Sequence, residues 1–231
     1  MTILECRGLT KKFGKVTALD AIDLNLEAGR IVGLLGPNGS GKTTLIKLAN
    51  GLISPDAGQV LIDGHEPGPE TKAVTAYLPD KDFLPDYMNV EQLLGFYGDF
   101  FKDFDSERAM DMIRSLKLDP EQKLKAMSKG TREKIQLILT MARRAKVYLL
   151  DEPIAGVDPA ARDYILRTII GNYSQDALVL ISTHLIADVE NMLDEVIFLK
   201  TGHIELHENA EDLRERTGKD VDHLFREVYA C

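Results

Sequence analysis

The run Gly36-Pro37-Asn38-Gly39-Ser40-Gly41-Lys42-Thr43 has the residue types and spacing to hold a polyphosphate. Glycines let consecutive backbone N–H groups curl toward one anion, and side chains there would block its approach. Lys42 offers a point charge for the outer phosphates, and the Thr43 hydroxyl offers a ligand for Mg²⁺. Far along the chain, the apolar run Val147-Tyr148-Leu149-Leu150 ends in the acids Asp151-Glu152. Asp151, at a strand tip, is placed to hold Mg²⁺, usually through water. Glu152, one residue on, points elsewhere and can face a water in line with the γ-phosphate. Two carboxylates beside a triphosphate repel, and both the metal and Lys42 offset that repulsion. His184 follows another apolar run, over residues 177–182. It can hydrogen-bond the γ-phosphate or the attacking water, or be an inert histidine at a helix start; residue type alone favours the second.

These groups need a frame. Residues 31–35 have the length and branching of a buried parallel strand, and after Thr44 the residues Leu45, Ile46 and Leu48 fall at helical spacing. A strand, a glycine loop and a helix whose amino end favours anions form the context the loop requires. The runs at 145–152 and 177–182 read as two more buried strands, with polar residues at their carboxyl ends, where open α/β sheets bind ligands.

The remaining chain supplies the surroundings. Residues 2–8 and 16–26 read as strands flanking the polar tip Lys11-Lys12-Phe13-Gly14-Lys15. Phe13 either stacks on a nucleobase or packs on the core, and residue type favours packing. A turn at 54–58 leads to a strand at 59–62; residues 73–78 read as a strand stopped by Pro79-Asp80. Composition then shifts to aromatics (Phe83, Tyr87, Phe96, Tyr97, Phe100, Phe101, Phe104), with helical patterns at 90–101, 106–117 and 129–144. This predicts an inserted helical lobe over about 80–145, with the aromatics as its core and an excess that lines a groove for a partner. His203 and His207 fall on the exposed face of a strand at 202–207; with Glu205 they could suggest a metal, but a solvated face is the stronger reading. From about residue 209, two charged amphipathic helices turn Leu213, Val221, Leu224, Phe225 and Val228 inward.

A chain of 231 residues can bury a substantial interior as one domain. Its net charge of −9 and lack of a dense basic run argue against nucleic acid and anionic lipid as partners. Cys6 and Cys231 lie at opposite ends, which indicates neither a disulfide framework nor a zinc site and suits a reducing cytoplasm. No apolar run approaches the ~20 residues of a membrane span, and the amino end lacks the apolar segment of a signal peptide. A cytoplasmic protein without direct membrane insertion is expected.

These elements in this order resemble the ATP-binding subunits of ABC transporters over about residues 2–207. Residues 36–44 match the Walker A loop, 147–152 the Walker B strand, Ser128-Lys129-Gly130-Thr131 after Met127 the signature, and Gly156-Val157-Asp158-Pro159 the D-loop. His184 matches the switch histidine, and Phe13 falls where the family's aromatic stacks adenine, which reverses the reading from residue type. The resemblance implies an α/β fold: a P-loop NTPase core with a mostly parallel sheet, an N-terminal antiparallel β subdomain and an inserted α-helical lobe. It also implies an Mg-dependent ATPase with ATP and Mg²⁺ as cofactors. Gly36, Pro37, Asn38, Gly39, Ser40, Gly41, Lys42, Thr43 and Thr44 would bind ATP, with Lys42, Glu152 and His184 catalytic and Thr43 and Asp151 at the metal. Two subunits, identical or paralogous, would dimerise head to tail, so that Ser128 and Gly130 of one meet the γ-phosphate held by the other. ATP would close that dimer and hydrolysis reopen it, driving transmembrane subunits that hold the protein on the inner face of the membrane.

Two departures stand out. Asp80 occupies the place of the family's Q-loop glutamine and is expected still to sense the metal; Lys129 and Thr131 replace a glycine and the glutamine of the signature. Both look more like bacterial exporter and acetoin-utilisation-like groups than importers. A soluble ABC-type ATPase acting on ribosomes or DNA is the alternative. A single cassette, no sustained heptads and the negative charge weigh against it. A P-loop small-molecule kinase would lack the signature and need an acceptor lid, for which no motif is present.

Overall fold

The computed structural model describes residues 1–229; Cys231 lies outside the described residues. β1 (Thr2–Phe13) and β2 (Val16–Glu27) form a long antiparallel hairpin, and β4 (Ala57–Ile62) joins it in the order β2-β1-β4. The main sheet contains β3 (Ile31–Leu35), β5 (Thr75–Leu78), β6 (Val147–Asp151), β7 (Leu178–Thr183), β8 (Glu195–Lys200) and β9 (His203–Asn209). Its order is β5-β6-β7-β3-β8-β9, parallel throughout except for β9.

Every residue of β3, β6 and β7 is buried, as expected for strands covered on both faces. Strand alternation divides their side chains between two cores. Val32, Leu34, Val147 and Leu149 face the antiparallel sheet and α1 (Lys42–Ala49). Ile31, Leu35, Tyr148 and Leu150 face α5 (Lys129–Met141), α6 (Pro159–Asn172) and the carboxyl-terminal helices α8 (Ala210–Thr217) and α9 (Val221–Tyr229). The tail has its expected form: Leu213 and Val221 are buried, and Leu224, Phe225 and Val228 pack against the same core.

α3 (Val90–Phe100), α4 (Ser106–Ser115) and part of α5 build a separate helical core. The fully buried residues of that core are aliphatic, which corrects the expectation of an aromatic one, and of the aromatics only Tyr97 and Phe104 pack against it, partly buried. Leu84, Val90, Leu93, Leu94, Ile113, Ile135 and Ile138 fill it, whereas Tyr87, Phe96 and Phe100 are exposed. The helix period explains this: Leu93 and Leu94 occupy the inward face of α3, and Phe96 and Phe100, four apart, stack on its outer face with centroids 6.1 Å apart.

Two other elements differ from expectation. Ala73 and Val74 close the helix α2 (Pro69–Val74), and the strand begins only at Thr75. Pro69 presets a helical φ at its first position, and the Thr71 hydroxyl pairs with the Gly68 backbone. β8 is the second difference: its run Val196-Ile197-Phe198-Leu199, unassigned from sequence, forms a strand fully buried like β6 and β7. On β9, His203 and His207 lie on the outer face as expected, and His207 Nε2 lies 2.9 Å from Glu195 Oε2. Among the described residues no cluster of three or more His, Cys, Asp or Glu is arranged to hold a metal.

Candidate nucleotide-binding site

Four neighbouring parallel strands, β5, β6, β7 and β3, end on one edge of the sheet and lead into Asp80, Asp151-Glu152, His184 and the glycine loop respectively. Shared direction is what gathers residues so distant in sequence. A cavity of about 440 Å³ opens there, lined by residues 38–44, Ala18, Asp80, Glu152, Ala155 and His184.

Gly41 caps the amino end of α1 at φ 115°, and a Cβ there would sit 2.5 Å from the Ala18 carbonyl oxygen of β2. Only glycine fits both that backbone conformation and that approach. The hairpin therefore shapes the loop, a contact no local motif announces. The buried Ser40 hydroxyl has no partner among the described residues. The Lys42 ammonium, also buried, donates to the Gly36 and Pro37 carbonyls at 2.7 and 3.2 Å and lies 3.3 Å from Glu152 Oε1.

Asp151 is fully buried. Its Oδ1 accepts from the Ser182 hydroxyl at 2.6 Å and the Thr43 hydroxyl at 3.0 Å, while its Oδ2 is buried without a partner among the described residues. Burial pushes its carboxyl above the ordinary aspartate range; the two hydroxyls partly offset this, and the negative charges of Asp80 and Glu152 add to it. A buried carboxylate oxygen left unpaired is costly unless something else completes it. Beside a threonine hydroxyl it is a hard-oxygen donor set, so the residues present fit Mg²⁺. Sequence reasoning missed Ser182. The signal available was a polar residue closing a buried apolar strand one step before Thr183-His184.

Glu152 leaves β6 at φ 52°. Its N–H donates to the Ser182 carbonyl and hydroxyl, each at 3.0 Å, which holds the left-handed turn. The turn aims its carboxylate away from Asp151: Oε1 faces Lys42 and Oε2 lies 3.0 Å from His184 Nδ1. Lys42, Glu152 and His184 thus form one polar chain along the cavity wall, and Thr43, Asp151 and Ser182 form a second.

A sequence profile of the family described as ABC transporter matches residues 19–155. The chain belongs to the ABC transporter family. It is 33% identical to the uncharacterized ABC transporter ATP-binding protein YdbJ of Bacillus subtilis, over 95% of this chain and 73% of that protein. It is 28% identical to the daunorubicin resistance ATP-binding protein DrrA3 of Streptomyces coeruleorubidus, over 98% of this chain and 75% of the relative. Among solved structures, an ATP binding subunit of an ABC transporter superimposes with a TM-score of 0.87 at 26% identity, covering 98% of this chain and 99% of that one.

In this ABC transporter ATP-binding subunit the α/β fold is the expected one, and among the described residues no helix is long and apolar enough to cross a membrane. Ser128, Gly130 and Phe13, all predicted site residues, stand apart from the cavity. Ser128 lies at the amino end of α5, where its hydroxyl accepts from Thr131 N–H at 3.2 Å. Gly130 follows with open space around it. Phe13 is 49% exposed at the hairpin tip, with the Lys11 ammonium 5.4 Å from its ring centroid. None of the three lines the cavity.

Proposed function

We propose that this subunit hydrolyses Mg·ATP in a head-to-tail dimer and so drives an exporter. Residues 36–44 would wrap the phosphates, with Phe13 against adenine, and the buried Ser40 hydroxyl, unpartnered among the described residues, would donate inside that wrap. Asp151 Oδ2, the Thr43 hydroxyl and Asp80 would hold Mg²⁺, which when bound neutralises charge on the phosphate oxygens. A polyphosphate competes with Glu152 and the Gly36 carbonyl for the Lys42 ammonium. Glu152, relieved of that counter-ion and oriented by His184, then accepts a proton from the attacking water.

The observation that carries the dimer is the unfinished cavity. Its walls come from residues 38–44, Asp80, Glu152 and His184, while Ser128 and Gly130 lie outside it, with open space around Gly130. A second copy presenting those residues completes the site. Glu152→Gln should therefore yield an ATP-dependent dimer by light scattering, and a monomer at saturating ATP would refute the reading.

Membrane subunits are the proposed partners. The exposed aromatics of α3 border an apolar cleft lined by Tyr77, Tyr97, Phe100 and Phe101, suited to an amphipathic element of such a partner. Export is supported by the daunorubicin-resistance name of the relative from Streptomyces and by Lys129 and Asp80. Attachment to the inner membrane face follows from those partners, and co-purification from mild detergent identifies them.

A further inference from the structure

The segment after β5, which carries Asp80 into the cavity wall, is fastened to the outer surface of α5. Arg132 is the fastener. Its guanidinium donates to Asp82 Oδ2 through Nε, to Asp86 Oδ1 at 3.0 Å and to the Leu84 carbonyl at 2.7 Å. One turn on, the side-chain oxygen of buried Gln136 accepts from Phe83 N–H at 3.2 Å. Residues four apart share a face of a helix, so Arg132 and Gln136 grip one stretch of chain at two heights. The Arg132 side chain is only 12% exposed, and partial burial works against charge on Asp82, yet the Arg132 and Leu84 bonds hold its carboxyl below the ordinary range.

The other end of this connection is the signature turn. Arg132 N–H donates to the Ser128 carbonyl at 3.0 Å, so the residue that grips Asp82 also closes the first turn of α5. A planar guanidinium with three acceptors fixed on one segment transmits displacement in a way that a single flexible ion pair does not. We propose that Arg132 is a positioning residue that makes residues 80–86 and 128–132 one mechanical unit. Occupancy of the nucleotide cavity, felt at Asp80, then sets the orientation of Ser128 and Gly130. This deepens the dimer reading, on which its functional consequence rests, but the mechanical claim concerns a single chain.

Hydrogen exchange on the dilute monomer with Mg·ADP tests it, because no second subunit is needed. In the wild type, Mg·ADP should slow exchange at residues 36–44 and also, by about fivefold, at residues 128–133. In Arg132→Gln the protection at 36–44 should persist and that at 128–133 vanish. Arg132→Lys, which keeps charge but loses the fork, should restore little of it. The proposal is overturned if 128–133 is protected equally in Arg132→Gln, or is unprotected in the wild type while 36–44 is protected. A parallel measurement covers function: Arg132→Gln should lower kcat for ATP about tenfold with KM unchanged within twofold. Equal loss in both parameters, tracking a fall in melting temperature, would mark Arg132 as merely structural. Failure of Glu152→Gln to dimerise would sink the dimer reading alone, because the exchange measurement on the monomer decides the mechanical claim by itself.

Discussion

Asp151→Asn should raise the stability of the nucleotide-free subunit while abolishing its response to Mg·ATP. The side chain is fully buried, Oδ1 holds two hydroxyl donors, Oδ2 holds none among the described residues, and Asp80 and Glu152 add negative potential. An asparagine of the same shape keeps the Ser182 and Thr43 bonds on its Oδ1 and removes the charge. An unsatisfied buried polar group costs about 1–3 kcal/mol and a charged one more. The amide nitrogen replacing Oδ2 remains unpaired, so only the charged part of that cost is recovered, about 1 kcal/mol. For a chain of this size that is about 2–4 °C in melting temperature. The sign with pH follows from the raised carboxyl. A folded-state value above the unfolded one makes the wild type lose stability as pH rises through that interval, so the variant's advantage is greatest at neutral pH. It shrinks toward about pH 3.9, where the wild-type carboxyl is itself protonated. With ligand the ranking should reverse: nucleotide at 100 times its Kd adds about 2.7 kcal/mol to the wild type, and the variant, lacking the carboxylate proposed to hold the metal, should gain little. Differential scanning calorimetry with EDTA, then with Mg·ATP, reads both effects. A variant that melts lower than the wild type without ligand, or that keeps the full Mg·ATP shift, refutes the reasoning.

Two more perturbations probe the scaffold. Gly202, at φ 84° between β8 and β9, donates its N–H to the Ser40 carbonyl at 3.0 Å and accepts from Asp20 N–H at 3.0 Å. A Cβ there would meet the Ala18 carbonyl oxygen at 2.9 Å, so Gly202→Ala should displace the phosphate loop and weaken ATP binding about tenfold by calorimetry, whereas His203→Ala should not. Arg143, buried, binds Asp103 at 3.0 Å and the Thr75, Ala73 and Lys72 carbonyls at 2.5, 3.0 and 3.3 Å, with Phe101 stacked 4.1 Å away. Arg143→Met strands those acceptors and should cost about 3–5 kcal/mol in urea denaturation, partly recovered by adding Asp103→Asn.

Much of this protein is written locally. The glycine loop needs its residue types because backbone amides must converge on an anion, and that requirement is contained in the stretch 36–43. The buried strands at 31–35, 147–151 and 178–183 are legible as apolar runs because a parallel strand covered on both faces tolerates little else. The helical patterns over 90–141 are legible too, since helix period and caps such as Asn89, Asp105 and Ser128 are short-range signals.

What tertiary structure decided is whatever depends on pairing across the sheet and between layers. No local pattern says that β7 lies between β3 and β6, yet that order sets Ser182 against Asp151 and His184 against Glu152. Nothing near Gly41 in sequence reveals that β2 passes within reach of its missing Cβ. The aromatics of α3 read as core from composition because composition counts residues, while burial depends on which face a helix turns toward its neighbours. The sequence by itself determined a phosphate loop and two acids able to serve it. Only the parallel packing of four strands, ending on one edge, decided that Lys42, Glu152 and His184 touch while Ser128 and Gly130 stand outside the cavity. Side-chain chemistry is local, but the distances between side chains belong to the fold.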